Sequence, residues 1–190
     1  AVQPGDEDDY FQSSLFTIAR RRILWLLILV FANGLTTKVI AMNDQILKEI
    51  VLLAAFIPLL IGTGGNVGAQ SSTVVIRGLS TQKLKSLGAI KAVVKEAITG
   101  ALLGVLMMLV VFPFAWWQGE GPLIASAVGI SLISITTLAA TTGAILPLLF
   151  DRMRLDPALM SSPFITTVTD IAGVFIYLST AKWLLSSSII

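Results

Sequence analysis

The stretch PALMSSPFITTVTDIAGVFIYLSTA, residues 157–181, decides the fold: it is long, apolar and interrupted by one carboxylate, Asp170. About 20 consecutive apolar residues carry a helix across a hydrocarbon core roughly 30 Å thick. An Asp at the centre of such a helix costs roughly 2.5–3.5 kcal/mol on insertion scales, so such a residue faces a protein interior or a water-filled path and marks an ion or substrate route. Read this way, residues 157–181 are a membrane span with a cation path along one side.

The same pattern recurs upstream. Runs free or nearly free of charge cover 23–38, 50–76, 97–119 and 121–150. The first is short, but a lysine near a helix end can snorkel to the interface, so it extends past Lys38 to about Met42. With 55% hydrophobic and 13% charged residues, the chain has too little polar surface to cover a soluble globule. A membrane β-barrel needs alternating strands of about 10 residues, not continuous apolar runs. The expected fold is therefore all-α: an integral membrane bundle of five transmembrane helices per chain.

Charge sets the orientation. Arg20, Arg21, Arg22, Arg77, Lys83, Lys85, Lys91, Lys95, Arg152 and Arg154 flank the spans on one side; Lys38, Lys48 and Lys182 fall on the other. The positive-inside rule then gives a multi-pass protein of the cell (inner) membrane, N-terminus cytoplasmic and C-terminus outside. Trp25, Trp116, Trp117 and Trp183 all lie at expected span ends, as an interfacial aromatic belt requires. The basic residues are span flanks, so the net charge of +2 is no nucleic-acid footprint and no nucleic-acid partner is expected.

Residues 1–22 differ from the rest. An acidic run at 5–9 leads through Tyr10 and Phe11 to a segment ending in Arg20-Arg21-Arg22, which reads as a polar linker and an amphipathic cytoplasmic helix. Two regions follow: 1–22, linker and amphipathic helix, and 23–190, the pore domain. The chain begins with Ala and not Met, which points to an upstream portion.

Two segments carry the chemistry. In the second span, Gly62-Thr63-Gly64-Gly65-Asn66-Val67-Gly68-Ala69-Gln70-Ser71-Ser72-Thr73 is rich in glycine and polar groups, which at membrane depth are tolerated where they are buried in protein or line water. Asn66, Gln70, Thr73 and Arg77 share one helical face. In the fifth span, Ser162, Thr166, Thr169, Asp170, Gly173 and Tyr177 fall along one side. Packing by small residues competes with a pore role for the second span, and Gly100 to Gly104 in the third is most simply a packing face.

Without His or Cys there is no imidazole or thiolate for a zinc- or copper-type site, nor for a Ser-His or Cys-His hydrolase, so no enzyme is expected. Oxygen ligands remain, and they suit hard cations such as Mg²⁺, Ca²⁺, Mn²⁺, Na⁺ or K⁺. One carboxylate is thin for a divalent ion. A two-fold homodimer with its axis beside the fifth span brings two together, and Mg²⁺, which dehydrates reluctantly, can be held there through its water shell.

Two motifs then carry a resemblance: Gly64-Gly65-Asn66-Val67-Gly68-Ala69-Gln70-Ser71-Ser72 with Arg77-Gly78-Leu79, and Leu155-Asp156-Pro157-Ala158-Leu159 leading into Pro163-Phe164-Ile165-Thr166-Thr167-Val168-Thr169-Asp170. Together they closely resemble the membrane domain of the MgtE family of magnesium channels. The resemblance implies a homodimer with one Mg²⁺-selective pore lined by spans 2 and 5. It places the pore aspartate on Asp170 and the other ion-facing positions on Asn66, Thr73, Ser162 and Thr166. It makes 1–22 a plug-like joining helix, and implies regulatory cytoplasmic CBS domains that this sequence does not contain.

A secondary transporter exchanging Mg²⁺ for Na⁺ or H⁺ is the alternative, since midplane carboxylates and broken helices also build carriers. No clear inverted repeat relates the halves, and one intramembrane carboxylate gives little for coupled binding. A non-transporting membrane anchor is a third reading, in which Asp170 affects dimer stability and not flux.

Overall fold

A computed structural model describes residues 14–81 and 86–186. Their regular structure is helical: α1 (Leu15–Ala41), α2 (Asp44–Glu49), α3 (Val51–Ser80), α4 (Ser86–Ala115), a π-turn at Trp116–Glu120, α5 (Gly121–Arg152) and α6 (Pro157–Ser186). Four apolar helical stretches are long enough to cross a bilayer: Val51–Ser80, Gly88–Gln118, Gly121–Arg152 and Ser161–Ser186. The apolar part of α1 is shorter, Leu26–Ala41, about 24 Å at 1.5 Å per residue. It contains one charged residue, Lys38, three residues from its end.

The helix α1 runs unbroken through Arg20, Arg21 and Arg22. The boundary expected after residue 22 is thus a change of composition within one helix. The acidic run at 5–9, Tyr10, Phe11, Lys83 and Lys85 lie outside the described residues, as do the side chains of Arg21, Arg22 and Trp25.

Local chemistry explains the helix ends. Gly121 opens α5 at φ 78°, ψ 173°, a conformation side chains disfavour, and Pro122 follows with its φ preset for a first helical turn. The exit from α5 is a Schellman motif: Leu155 N–H donates to the Phe150 carbonyl (2.9 Å) and Arg154 N–H to that of Asp151 (3.0 Å), with Arg154 left-handed at φ 59°. The next helix starts at once. The Asp156 carboxylate accepts the N–H of Ala158 (2.8 Å), capping α6 ahead of Pro157.

Close approaches at glycines set the register. Along α4, a methyl at Gly100 would lie 2.6 Å from the Thr136 carbonyl oxygen and from Ala140 Cβ, and one at Gly104 would meet Thr136 and Ile133. Gly129 of α5 faces Met108. Rising numbers on α4 meet falling numbers on α5, so the two are antiparallel; the Gly100–Gly104 pair is the packing face its pattern suggested. Gly64 faces Ile135 and Gly68 faces Ala139, so α3 runs parallel to α5. Gly64 also meets Thr169 and Gly68 meets Ile165, which makes α3 and α6 antiparallel.

The middle of the bundle is α5, packed on by α3, α4 and α6, while α1 rests chiefly on α6. Its buried residues run from Ile124 to Phe150 and include Val128, Leu132 and Ile135. These join Leu53, Phe56 and Leu60 of α3 and Val174, Tyr177 and Leu178 of α6 in the main core, toward the end that carries the π-turn. Trp116, Trp117 and Trp183 sit at that same end with their side chains exposed.

Candidate functional site

Helical geometry divides α3 into two faces. Leu53, Phe56, Leu60, Gly64, Val67, Gly68, Ser71, Ser72 and Val75 recur every three or four residues and are buried inside the protomer. Asn66, Ala69, Gln70, Thr73 and Arg77 occupy the other face and are exposed. The glycine-rich run is therefore divided between the two faces. Gly64 and Gly68 permit close packing, and the intervening polar residues point away from the protomer.

The α6 stripe divides in the same way. Ser162 and Thr166 are exposed and Asp170 is partly so, each four residues from the last. Thr169, Gly173 and Tyr177, also four apart, are buried. One residue is 100° of rotation, enough to carry Thr169 from the outer track into the core. Its hydroxyl is satisfied there by the carbonyls of Ile165 (2.8 Å) and Thr166 (2.9 Å). Sequence spacing grouped the two tracks; the angle between positions 169 and 170 was the signal that separates them.

The two exposed faces adjoin. A methyl at Gly65 would lie 3.9 Å from Thr166 Cγ2, which puts Asn66 and Thr166 at one level of the bundle. From there the antiparallel register carries Asp170 one turn toward the π-turn end and Thr73 two turns toward the other. At 1.5 Å per residue, Asp170 and Thr73 lie about 16–18 Å apart along the axis. The arrangement is a polar track with Asp170 near one end, Asn66 and Thr166 in the middle, and Ser162 and Thr73 beyond.

The hydroxyls on the track bond back to their own helices. Thr73 Oγ1 donates to the Ala69 carbonyl (2.9 Å) and Thr166 Oγ1 to that of Pro163 (3.0 Å), which leaves their lone pairs facing outward. Pro163, inside α6, has no N–H to give the carbonyl of Leu159 and so loosens the ladder just before the track. Asp170 forms no ion pair among the described residues; Asp44 and Lys48 pair on α2. The basic residues Arg77 and Lys91 stand well away from it, where α3 ends and α4 begins. Among the described residues there is also no group of three or more His, Cys, Asp or Glu side chains that could cage a metal. The track thus offers one carboxylate and neutral oxygens, ligands of the kind that hard cations prefer.

A family model described as MgtE, divalent cation transporter, matches residues 57–180, from the first turns of α3 through most of α6. The chain belongs to the MgtE family. It is 38% identical over 166 residues to the magnesium transporter MgtE of Thermus thermophilus, covering 87% of this chain and 37% of that protein. It is 33% identical over 176 residues to the magnesium transporter MgtE of Bacillus subtilis (92% and 39%), and 34% identical over 168 residues to that of Enterococcus faecalis (86% and 36%). The chain spans well under half the length of each of these MgtE relatives. Their names describe transport of magnesium, not an enzymatic reaction.

Two residues of the site's framework were given no packing role by the sequence reading. Gly143 of α5 lies directly against the Gly68 carbonyl, and Ile165 of α6 fills the space that Gly68 leaves. Ala139 and Gly143, small residues four apart in the fourth span, were the available signal.

Proposed function

We propose that this chain forms half of a magnesium channel, with two copies meeting across the polar track so that α3 and α6 of each line one pore. The observation that carries this reading is the exposed face of Asn66, Gln70, Thr73, Ser162 and Thr166, continuous across two helices and joined by an unpaired Asp170. Lipid tails cannot satisfy such groups; water and a second copy can. In the dimer, Asp170 and its mate supply two negative charges to one Mg²⁺, which keeps its water; that shell donates hydrogen bonds to the Asn66 and Thr166 oxygens, and Ser162, about 12 Å from Asp170 along α6, meets the ion further along the path. Thr73 serves the next position along the path. The basic ends of the helices face the cytoplasm, α1 is the first of five spans, and residues 1–22 join the pore to cytoplasmic sensing domains.

The test is Mg²⁺ flux into liposomes holding the purified chain. Asp170→Asn keeps the volume and removes both charges of the dimer, so a divalent ion leaving water loses its fixed counter-charge. Flux or Mg²⁺ selectivity should be lost, while Asp170→Glu retains divalent binding with altered conduction. Wild-type rate and selectivity in a dimeric Asp170→Asn protein would remove the physical basis for the pore. Single-channel current separates a channel from an exchanger, whose flux would be slow and tied to a Na⁺ or H⁺ gradient.

A further inference from the structure

At the end of the bundle where α4 begins and α5 ends, the two helices part around an open groove of about 260 Å³. Its walls are Ile90, Val93 and Val94 of α4 and Ile145, Leu148 and Leu149 of α5, with Arg152 at its mouth. A neighbouring depression shares Ile90 and Val94 and adds Lys91 and Lys95. Lys91, Lys95 and Arg152 are all exposed. Asp151 and Glu96 adjoin these cations in sequence, but neither lines the groove.

Depth decides what fits there. The membrane-crossing helices Gly88–Gln118 and Gly121–Arg152 have 31 and 32 residues, about 46 and 48 Å of helix. Each exceeds a hydrocarbon core of roughly 30 Å by about 8 Å at either end when centred on it. Ile90, Leu148 and Leu149 therefore stand at the level of the headgroups, where an apolar wall facing water is unfavourable. Arg152 lines the groove, and Lys91 and Lys95 line the depression that shares Ile90 and Val94 with it.

We propose that the groove binds an anionic phospholipid, its phosphate held by Arg152, Lys91 and Lys95 and one acyl chain lying between α4 and α5. The charge complements the lipid and the apolar walls complement its chain, a pairing that basic pockets between membrane helices offer. This site lies on helices outside the polar track and is independent of the pore reading.

The test is native mass spectrometry of the purified chain taken from bilayers of equal phosphatidylglycerol and phosphatidylcholine. The wild type should retain phosphatidylglycerol in preference to phosphatidylcholine. Arg152→Gln, Lys91→Gln and Lys95→Gln should each lower that retention about fivefold, the effect of one basic residue at an anionic surface. Lys182→Gln, exposed at the other end, should leave it unchanged. Val93→Trp, which fills the groove and keeps every charge, should lower retention as well. Equal retention of the two lipids by the wild type overturns the proposal, as does undiminished retention by the triple glutamine variant. Displacement of the lipid by inorganic phosphate would assign the cations to a free anion. Conversion of dimer to monomer by the triple variant, with lipid unchanged, would assign the groove to a second copy.

Discussion

Replacing Gly143 with alanine should force α3 and α5 apart at the point where the polar track is held in place. The added methyl would stand 3.0 Å from the Gly68 carbonyl carbon and 3.1 Å from its Cα, and closer still to the carbonyl oxygen. Carbon atoms pack best at about 3.5–4.0 Å, so the helices must separate by about 0.5–1 Å. The obstacle is backbone, and no rotamer change relieves it. A gap of that size forfeits a quarter to a half of the attraction of each contact along the crossing. Overpacking of this kind costs about 1–3 kcal/mol, against up to about 1 kcal/mol gained by removing a glycine from a helix interior. The net expectation is a loss of about 1–2 kcal/mol. Gly34→Ala is the matched control, because nothing lies within 4 Å of a methyl built there, and it should be neutral or stabilising by up to about 1 kcal/mol. Helicity of the two purified variants, followed by circular dichroism through an SDS titration in mixed micelles, reads the difference. A Gly143→Ala protein as stable as Gly34→Ala would refute the close crossing of α3 and α5.

Three further outcomes are expected. Arg154→Gly should raise stability by about 0.5–1 kcal/mol, because it relieves a left-handed side-chain conformation and the gain exceeds the added freedom of the unfolded chain; a lowered SDS midpoint would contradict the Schellman geometry. Asp156→Ala should cost about 1 kcal/mol through loss of the α6 cap, while Asp156→Ser should recover most of it in the same titration. Thr169→Val should leave Mg²⁺ flux within about twofold, its hydroxyl being tied to its own helix, whereas Thr166→Val on the exposed track should lower flux severalfold; the reverse order would exchange the two faces of α6.

The apolar runs were legible because length and absence of charge leave few alternatives to helix. The runs that became α3 to α6 matched four long helices, with ends displaced where capping and not hydropathy decides them, as at Asp156 and Gly121. The first run falls within α1, whose described apolar part is Leu26–Ala41. The face of Asn66, Gln70, Thr73 and Arg77 was readable from spacing alone. The α6 stripe was not, because oxygen-bearing residues at 166, 169 and 170 look contiguous in a sequence while a helix separates them by angle. Which glycines pack and which stand open also escaped the sequence, since that depends on the partner: Gly68 meets Ile165 and Ala139, whereas Gly62 meets nothing within 4 Å in the protomer.

The unbroken α1 has a mechanical consequence. With 27 residues it is a rod of about 40 Å, stiffened by continuous backbone bonding and free of internal proline. Its principal bearing surface is α6, the helix that carries Asp170. A displacement of that rod therefore meets α6 before any other helix of the bundle.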